Sequence, residues 1–150
     1  MMNSFSIWMK WCERNKLDAL ESPGIYSITL SNEDISNAPF SWRQEIIYVG
    51  MTNSKGGLKS RLQQFDNTIT GKDGHGGAHR VRFKYPNYDN LVKQLYVSVS
   101  PTKCTVTSKQ PADLRLMGTV AAQEYECFAL YVEAFGDLPE FNNMKLSPKK

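Results

Sequence analysis

Gly24-Ile25-Tyr26-Ser27-Ile28-Thr29-Leu30, followed by Ile46-Ile47-Tyr48-Val49, decides how this chain folds. In the first stretch Ile25, Ser27 and Thr29 alternate with Tyr26, Ile28 and Leu30, the period-two pattern of a pleated strand, and Pro23-Gly24 breaks the chain just before it. The second stretch is almost wholly β-branched or aromatic and reads as another strand. Between them, Ser31 to Trp42 holds Asn32, Asp34, Asn37 and Pro39, the composition of a long surface loop. The two strands are therefore expected to pair antiparallel across it.

On the N-terminal side, Phe5, Trp8, Met9 and Cys12 fall at i, i+3, i+4 and i+7, which predicts a short amphipathic helix capped by Ser4 or Asn3. On the other side, Asn53 to Gly57 is a turn, and Leu58, Leu62 and Phe65 recur at helical spacing in a segment that carries Lys59 and Arg61. Thr70 to His79, with Gly71, Gly74, Gly76 and Gly77, reads as a glycine-rich loop, and Leu95 to Val99 as a third strand. From Pro111 to Phe135, the residues Leu116, Val120, Cys127, Phe128, Tyr131 and Phe135 trace a helical stripe, with Pro111 in the first turn and Gly136 as C-cap. This order predicts a single α+β domain over 1–150, a small antiparallel sheet of about three strands flanked by helices.

Composition narrows the partners. No stretch approaches the roughly 20 apolar residues of a membrane span, and Met1 to Lys16 mixes Lys10, Glu13 and Arg14 with its aromatics, so no secretory signal is read and a cytoplasmic location is expected. Cys12, Cys104 and Cys127 are scattered, form no CxxC pair for zinc or redox chemistry, and read as buried small hydrophobes. The net charge of +3 matters less than its distribution. Lys55, Lys59, Arg61, Lys72, Arg80, Arg82 and Lys84 face only Asp66 and Asp73 in their segment, with His75 and His79 added, which makes the segment a candidate phosphate-facing surface.

Taken together, Gly24-Ile25-Tyr26 on one strand, Tyr48-Val49-Gly50 on the next, Arg61 on the following helix, Gly74-His75-Gly76-Gly77, and a late Glu and Asn resemble the GIY-YIG nuclease family. The resemblance implies that Tyr26 and Tyr48 stand on one face of a hairpin and that Arg61 and His75 reach in from the next helix and loop, with His79 as the alternative histidine. It also implies that Glu124, preferred over Glu126, binds the metal, and that Asn142 matches the late asparagine. Val49 replaces the usual Ile, the 21 residues between Tyr26 and Tyr48 exceed the family's usual number, and Phe65 stands where most relatives place Tyr or His. A phenyl ring cannot hydrogen-bond a phosphate, so either a histidine compensates or the site is weaker than its relatives'.

The implied reaction is hydrolysis of DNA phosphodiester bonds in a restriction, repair or mobile-element setting. Glu124 would hold one Mg²⁺ or Mn²⁺ and Arg61 would offer a planar bidentate donor to the phosphate. Tyr26 would act as base, a role that needs its phenolate favoured because the ordinary phenol pKa is about 10. Tyr48 would position water or phosphate, and Lys55, Lys59, His79, Arg80, Arg82 and Lys84 would contact the DNA backbone. A second reading is a nucleic-acid-binding module of the same fold with a weakened site. Oligomeric state is left open.

Overall fold

The computed structural model describes residues 4–143; Asn3, one of the two expected helix caps, lies outside them. Four strands, β1 (Met9–Lys10), β2 (Gly24–Leu30), β3 (Ile46–Thr52) and β4 (Leu95–Pro101), form one antiparallel sheet in the order β1-β4-β2-β3. The helices are α1 (Gly57–Thr70), α2 (Gly76–Lys84), α3 (Tyr88–Val92) and α4 (Pro111–Phe135), with 3₁₀ turns at Trp11–Lys16 and Glu140–Asn142. The protein is thus an α+β structure, with one strand more than expected. Among the described residues no helix is long and apolar enough to cross a membrane.

The extra strand comes from the expected N-terminal helix, which is extended instead. Ser6 N–H donates to Val99 O, Asn37 N–H to Trp8 O and Trp8 N–H to Ala38 O, and Met9 and Lys10 pair with Val97 and Tyr96. Trp8 is buried with Ile25 and Val49 on one side of the sheet, whereas Met9 packs against the cluster on the other. Adjacent residues sent to opposite faces obey a period of two, and pairing with β4 outweighs the local helical spacing. Helical turns begin only at Trp11. The glycine-rich segment is also shorter as a loop than expected, because His75 caps α2 and Gly76 already belongs to it.

The sheet has a helical layer on each face. Tyr26, Ile28, Val97 and Val99 pack against Leu58, Leu62, Phe65 and Ile69 of α1, Ala78 and Val81 of α2, and Leu91 of α3. Ile25, Ile46, Val49 and Tyr96 face Val120, Cys127 and Tyr131 of α4, with Phe40 and Trp42 of the long loop packed beside them. Helix α4 runs along β3 because it is fastened at both ends: Asn53 Nδ2 donates to Met117 O at 3.0 Å, and Tyr131 Oη to Gln44 O at 2.8 Å. Gly136 ends it in the left-handed region at φ 89°, as expected. Of the cysteines only Cys127 is buried; Cys12 is exposed, because the 3₁₀ turn buries Trp11 instead.

A polar cluster joins the N-terminal turn to α1. Asp66 Oδ1 accepts from Trp11 Nε1 at 2.7 Å and from Tyr88 Oη at 2.9 Å, and Asp66 Oδ2 lies 3.5 Å from Arg14 Nη2. Arg14 is buried, and Trp11 is entirely so. Removing the carboxylate leaves buried donors without an acceptor, so Asp66→Ala should lower the unfolding free energy by about 3 kcal/mol. Urea unfolding followed by circular dichroism measures it; a midpoint unchanged from wild type would show that the cluster contributes nothing.

Candidate functional site

Register decides which side chains meet. Tyr26 pairs with Gly50 and Tyr48 with Ile28 across the β2–β3 ladder. The ladder then slips, Thr29 pairing with Ile46, which leaves Ile47 as the extra residue of a bulge. Both tyrosines stand on the α1 side, ring centroids 6.0 Å apart. Two glycines make room for them. A Cβ on Gly50 would collide with the Tyr26 ring, and a Cβ on Gly77 with the Tyr48 ring.

His75 closes the cluster. Its Nδ1 accepts the Ala78 N–H at 3.2 Å, capping α2, and its Nε2 lies 2.8 Å from Tyr26 Oη. Since Nδ1 is occupied as an acceptor, the proton of the neutral ring sits on Nε2, which therefore donates to Tyr26 Oη. Burial, with the positive charges of Arg61 and Arg80 adding to it, pushes the His75 pKa down to about 3. The ring is neutral at physiological pH. Phe65 is fully buried with its centroid 5.0 Å from the His75 ring, forming an apolar floor where a polar side chain was to be expected.

Arg61 and Glu124 complete the group. Burial raises the Tyr26 pKa, Tyr48 raises it further, and the Arg61 guanidinium opposes both by charge and by hydrogen bonding; Glu124 adds a smaller upward push. Tyr48 is raised by burial too, against Arg61 and Arg80, with Glu124 again raising it. Glu124 is itself raised by burial and lowered by Arg61. Tyr26, Tyr48, Arg61, His75 and Glu124 thus form one electrostatically coupled set, although α4 lies on the opposite layer of the sheet. Glu126 is exposed and raises the pKa of Cys127, whereas Glu124 is the carboxylate among the main influences on both tyrosines. Tyr26 is 0% exposed; Tyr48, Arg61 and Glu124 are half-buried.

Other expected residues are placed elsewhere. Asn142 lies on the outer edge of β3, where its Oδ1 accepts Val49 N–H at 2.9 Å and its Nδ2 donates to Val49 O at 2.7 Å. It imitates a neighbouring strand and so positions the segment bearing Tyr48, with both ends of its amide in use. Arg80, expected on a phosphate-facing surface, is buried, with Nε and Nη2 on Phe141 O at 2.9 and 2.7 Å. Arg82 is tied to Thr68 O, Lys72 O and His79 Nδ1, and Lys84 to Glu140 at 2.6 Å. Internal bonds of the α2 turn and the C-terminal segment have taken up these charges. Lys55 and Lys59 are exposed, and a groove of about 390 Å³ along α1 is lined by Gly56, Lys59, Ser60, Gln63, Gln64 and Asn67. Gly50 and Gly77 belong to the motifs read in the sequence, but the tyrosine rings they make room for, and the support that Asp66 gives, are visible only in the fold.

The depressed pKa of His75 carries a pH signature. The folded protein resists protonation that the unfolded chain accepts near pH 6.5, so stability is full above that value and is lost as pH falls towards about 3. The loss should reach at most about 1.4 kcal/mol per pH unit. His75→Gln, which keeps a polar cap but cannot titrate, should flatten this slope in urea melts across the range. Equal slopes for the two proteins would remove His75 as its source.

No family model, no curated protein and no solved structure matches the chain.

Proposed function

We propose that the chain is an endonuclease of the GIY-YIG type, acting in the cytoplasm, that hydrolyses DNA phosphodiester bonds with one divalent cation. The observation that supports this best is the coupled set itself: two tyrosines, one arginine, one neutral histidine and one half-buried carboxylate drawn from two strands and three helical segments. A packing cluster has no need of Arg61 and Glu124 beside two phenols whose rings are tilted at 35°. Such a set offers a phosphate donor, a proton acceptor and an anchor for a hard cation.

Glu124 fits Mg²⁺ or Mn²⁺. Among the described residues nothing hydrogen-bonds or ion-pairs with its carboxylate at close range, while burial disfavours its charge. No group of three His, Cys, Asp or Glu assembles among the described residues, so Glu124 would anchor the ion through one carboxylate, with water filling its other positions. When bound, the ion supplies charge stabilisation at the phosphate and acidifies water. Arg61, half-buried and with Nη1 donating to the exposed Gln64 Oε1 at 2.8 Å, would bind a phosphate oxygen through the rest of its fork. Tyr26 Oη would accept the proton of the attacking water only as the phenolate, its own proton first passed to solvent, a form that Arg61 and the N–H donated by His75 favour and burial opposes. Tyr48, more accessible than Tyr26, orients the water or the phosphate.

One observation favours the second reading, a nucleic-acid-binding module that does not cut: Tyr26 is sealed from solvent and held as a phenol, above an apolar Phe65. Activity decides between them. Wild type should nick a plasmid with Mg²⁺ or Mn²⁺ and not in EDTA. Glu124→Gln and Tyr26→Phe should each lose two or more orders of magnitude, about 3 kcal/mol of barrier or more, while DNA binding without metal persists. Arg61→Ala should lose both activity and affinity. A wild type that binds DNA but never cuts leaves the second reading, and full activity in Glu124→Gln with a dead Glu126→Gln reverses the choice of carboxylate.

The groove along α1 makes a separate prediction about docking. DNA affinity should fall steeply with salt, and Lys59→Ala should weaken binding to all sequences about equally while reducing the salt slope by about one. A titration in which affinity is flat between low and moderate salt would remove the phosphate surface.

A further inference from the structure

Helix α4 exposes apolar side chains outside its buried seam, and half-buried Phe128, which packs against the core, lies at the edge of that stripe. At about 100° per residue, Leu114, Gly118, Ala121, Tyr125, Phe128 and Val132 share one sector about 80° wide. That sector lies about 120° from the buried seam of Val120, Cys127 and Tyr131, and roughly a quarter-turn from Glu124. Tyr125 is 74% exposed, Leu114 53% and Val132 39%. Steps of three and four residues are the spacing of a helix seam that packs on another helix.

Gly118 adds an independent observation. It sits within a 25-residue helix, where glycine costs about 1 kcal/mol relative to alanine, and a Cβ built on it would meet nothing within 4 Å. Nothing among the described residues explains the missing side chain. A ring arriving from outside would.

We propose that this face of α4 pairs antiparallel with the same face of a second copy of this chain. A two-fold axis through the middle of the helix sets large residues against small ones: Phe128 against the partner's Gly118, Tyr125 against the partner's Ala121, and Leu114 against the partner's Val132. Charge follows the same register. Arg115 and Glu133 both lie on the margin of the stripe away from Glu124, and antiparallel pairing brings each Arg115 towards the partner's Glu133, twice per dimer. An in-register parallel pairing would instead set Gly118 against the partner's Gly118 and Phe128 against the partner's Phe128, small against small and large against large. On the other margin each Glu124 comes to the same side of the pair as the partner's Glu124, a like-charge approach that Arg61 of each copy tempers.

The test is sedimentation equilibrium of the full chain over a range of concentrations, with circular dichroism confirming that each variant is folded. Wild type should reach twice the 17.0 kDa of the chain. Tyr125→Arg should remain a monomer. Gly118→Leu should raise the melting temperature of the monomer, since its side chain has open space and a better helix propensity, while weakening association about tenfold or more. Arg115→Glu should weaken association about tenfold, and Arg115→Glu combined with Glu133→Arg should restore it. A wild type that is monomeric throughout, or a dimer indifferent to Tyr125→Arg, overturns the proposal. A double charge variant that fails to recover what the single one lost overturns the antiparallel register and the proposal with it.

Discussion

Two polar side chains shut away from water, Tyr26 at 0% exposure and His75 at 2%, meet at 2.8 Å, and the architecture around them follows from the need to keep them satisfied. An unpaired buried hydroxyl or imidazole nitrogen costs a few kcal/mol. His75 has two nitrogens to satisfy, and the start of α2 supplies the second partner through the Ala78 N–H. The helix therefore begins where the tyrosine needs its donor. Gly50 and Gly77 lie under the two tyrosine rings because any larger residue would push a ring out of this arrangement. The regular register up to Tyr48 puts it on the face of Tyr26, and the bulge at Ile47 then turns Ile46 to join Val49 in the opposite core.

Much of this was legible in the chain because it rests on periodicity. Strands with alternating or β-branched runs, the α4 stripe and its Gly136 cap declare themselves locally, and so does the pairing of β2 with β3. Phe5 to Cys12 misled because four apolar residues fit a helical period while the sheet needed them on two faces. Nothing in the local spacing reports that β4 has a free edge for Met9 and Lys10. Asn142 was noticed for its type and place in the order. Its partner, the Val49 peptide 93 residues earlier in sequence, could not be read from it.

Charge was the hardest feature to read, because a basic residue has the same letter whether it faces solvent or a carbonyl. Arg80 spends its guanidinium on Phe141 O, which holds the C-terminal 3₁₀ turn against α2, and its charge still reaches Tyr48 and His75. Lys84 makes a second tie to that turn through Glu140. Asn142, next along, then holds the edge of β3. The C-terminal segment is thus a strap from α2 to the strand of Tyr48. An apparent phosphate surface in the sequence is in part the fastening of that strap, and the exposed lysines of the segment that it leaves are Lys55 and Lys59 at the start of α1 and Lys72 just beyond its end.

The charge balance of the coupled set bears on how a buried phenol can act at all. With Tyr26 and Tyr48 held as phenols and His75 held neutral, the charged members are Arg61 and Glu124, which nearly cancel. An anionic phosphodiester drawn to Arg61 would use up the one positive charge that favours a Tyr26 phenolate. Under the nuclease reading, the base then becomes competent only if positive charge enters beside Glu124 together with the substrate. The low-dielectric surroundings that keep Tyr26 inert in the free protein also make it sensitive to such a charge, since the same interaction is several times stronger there than in water.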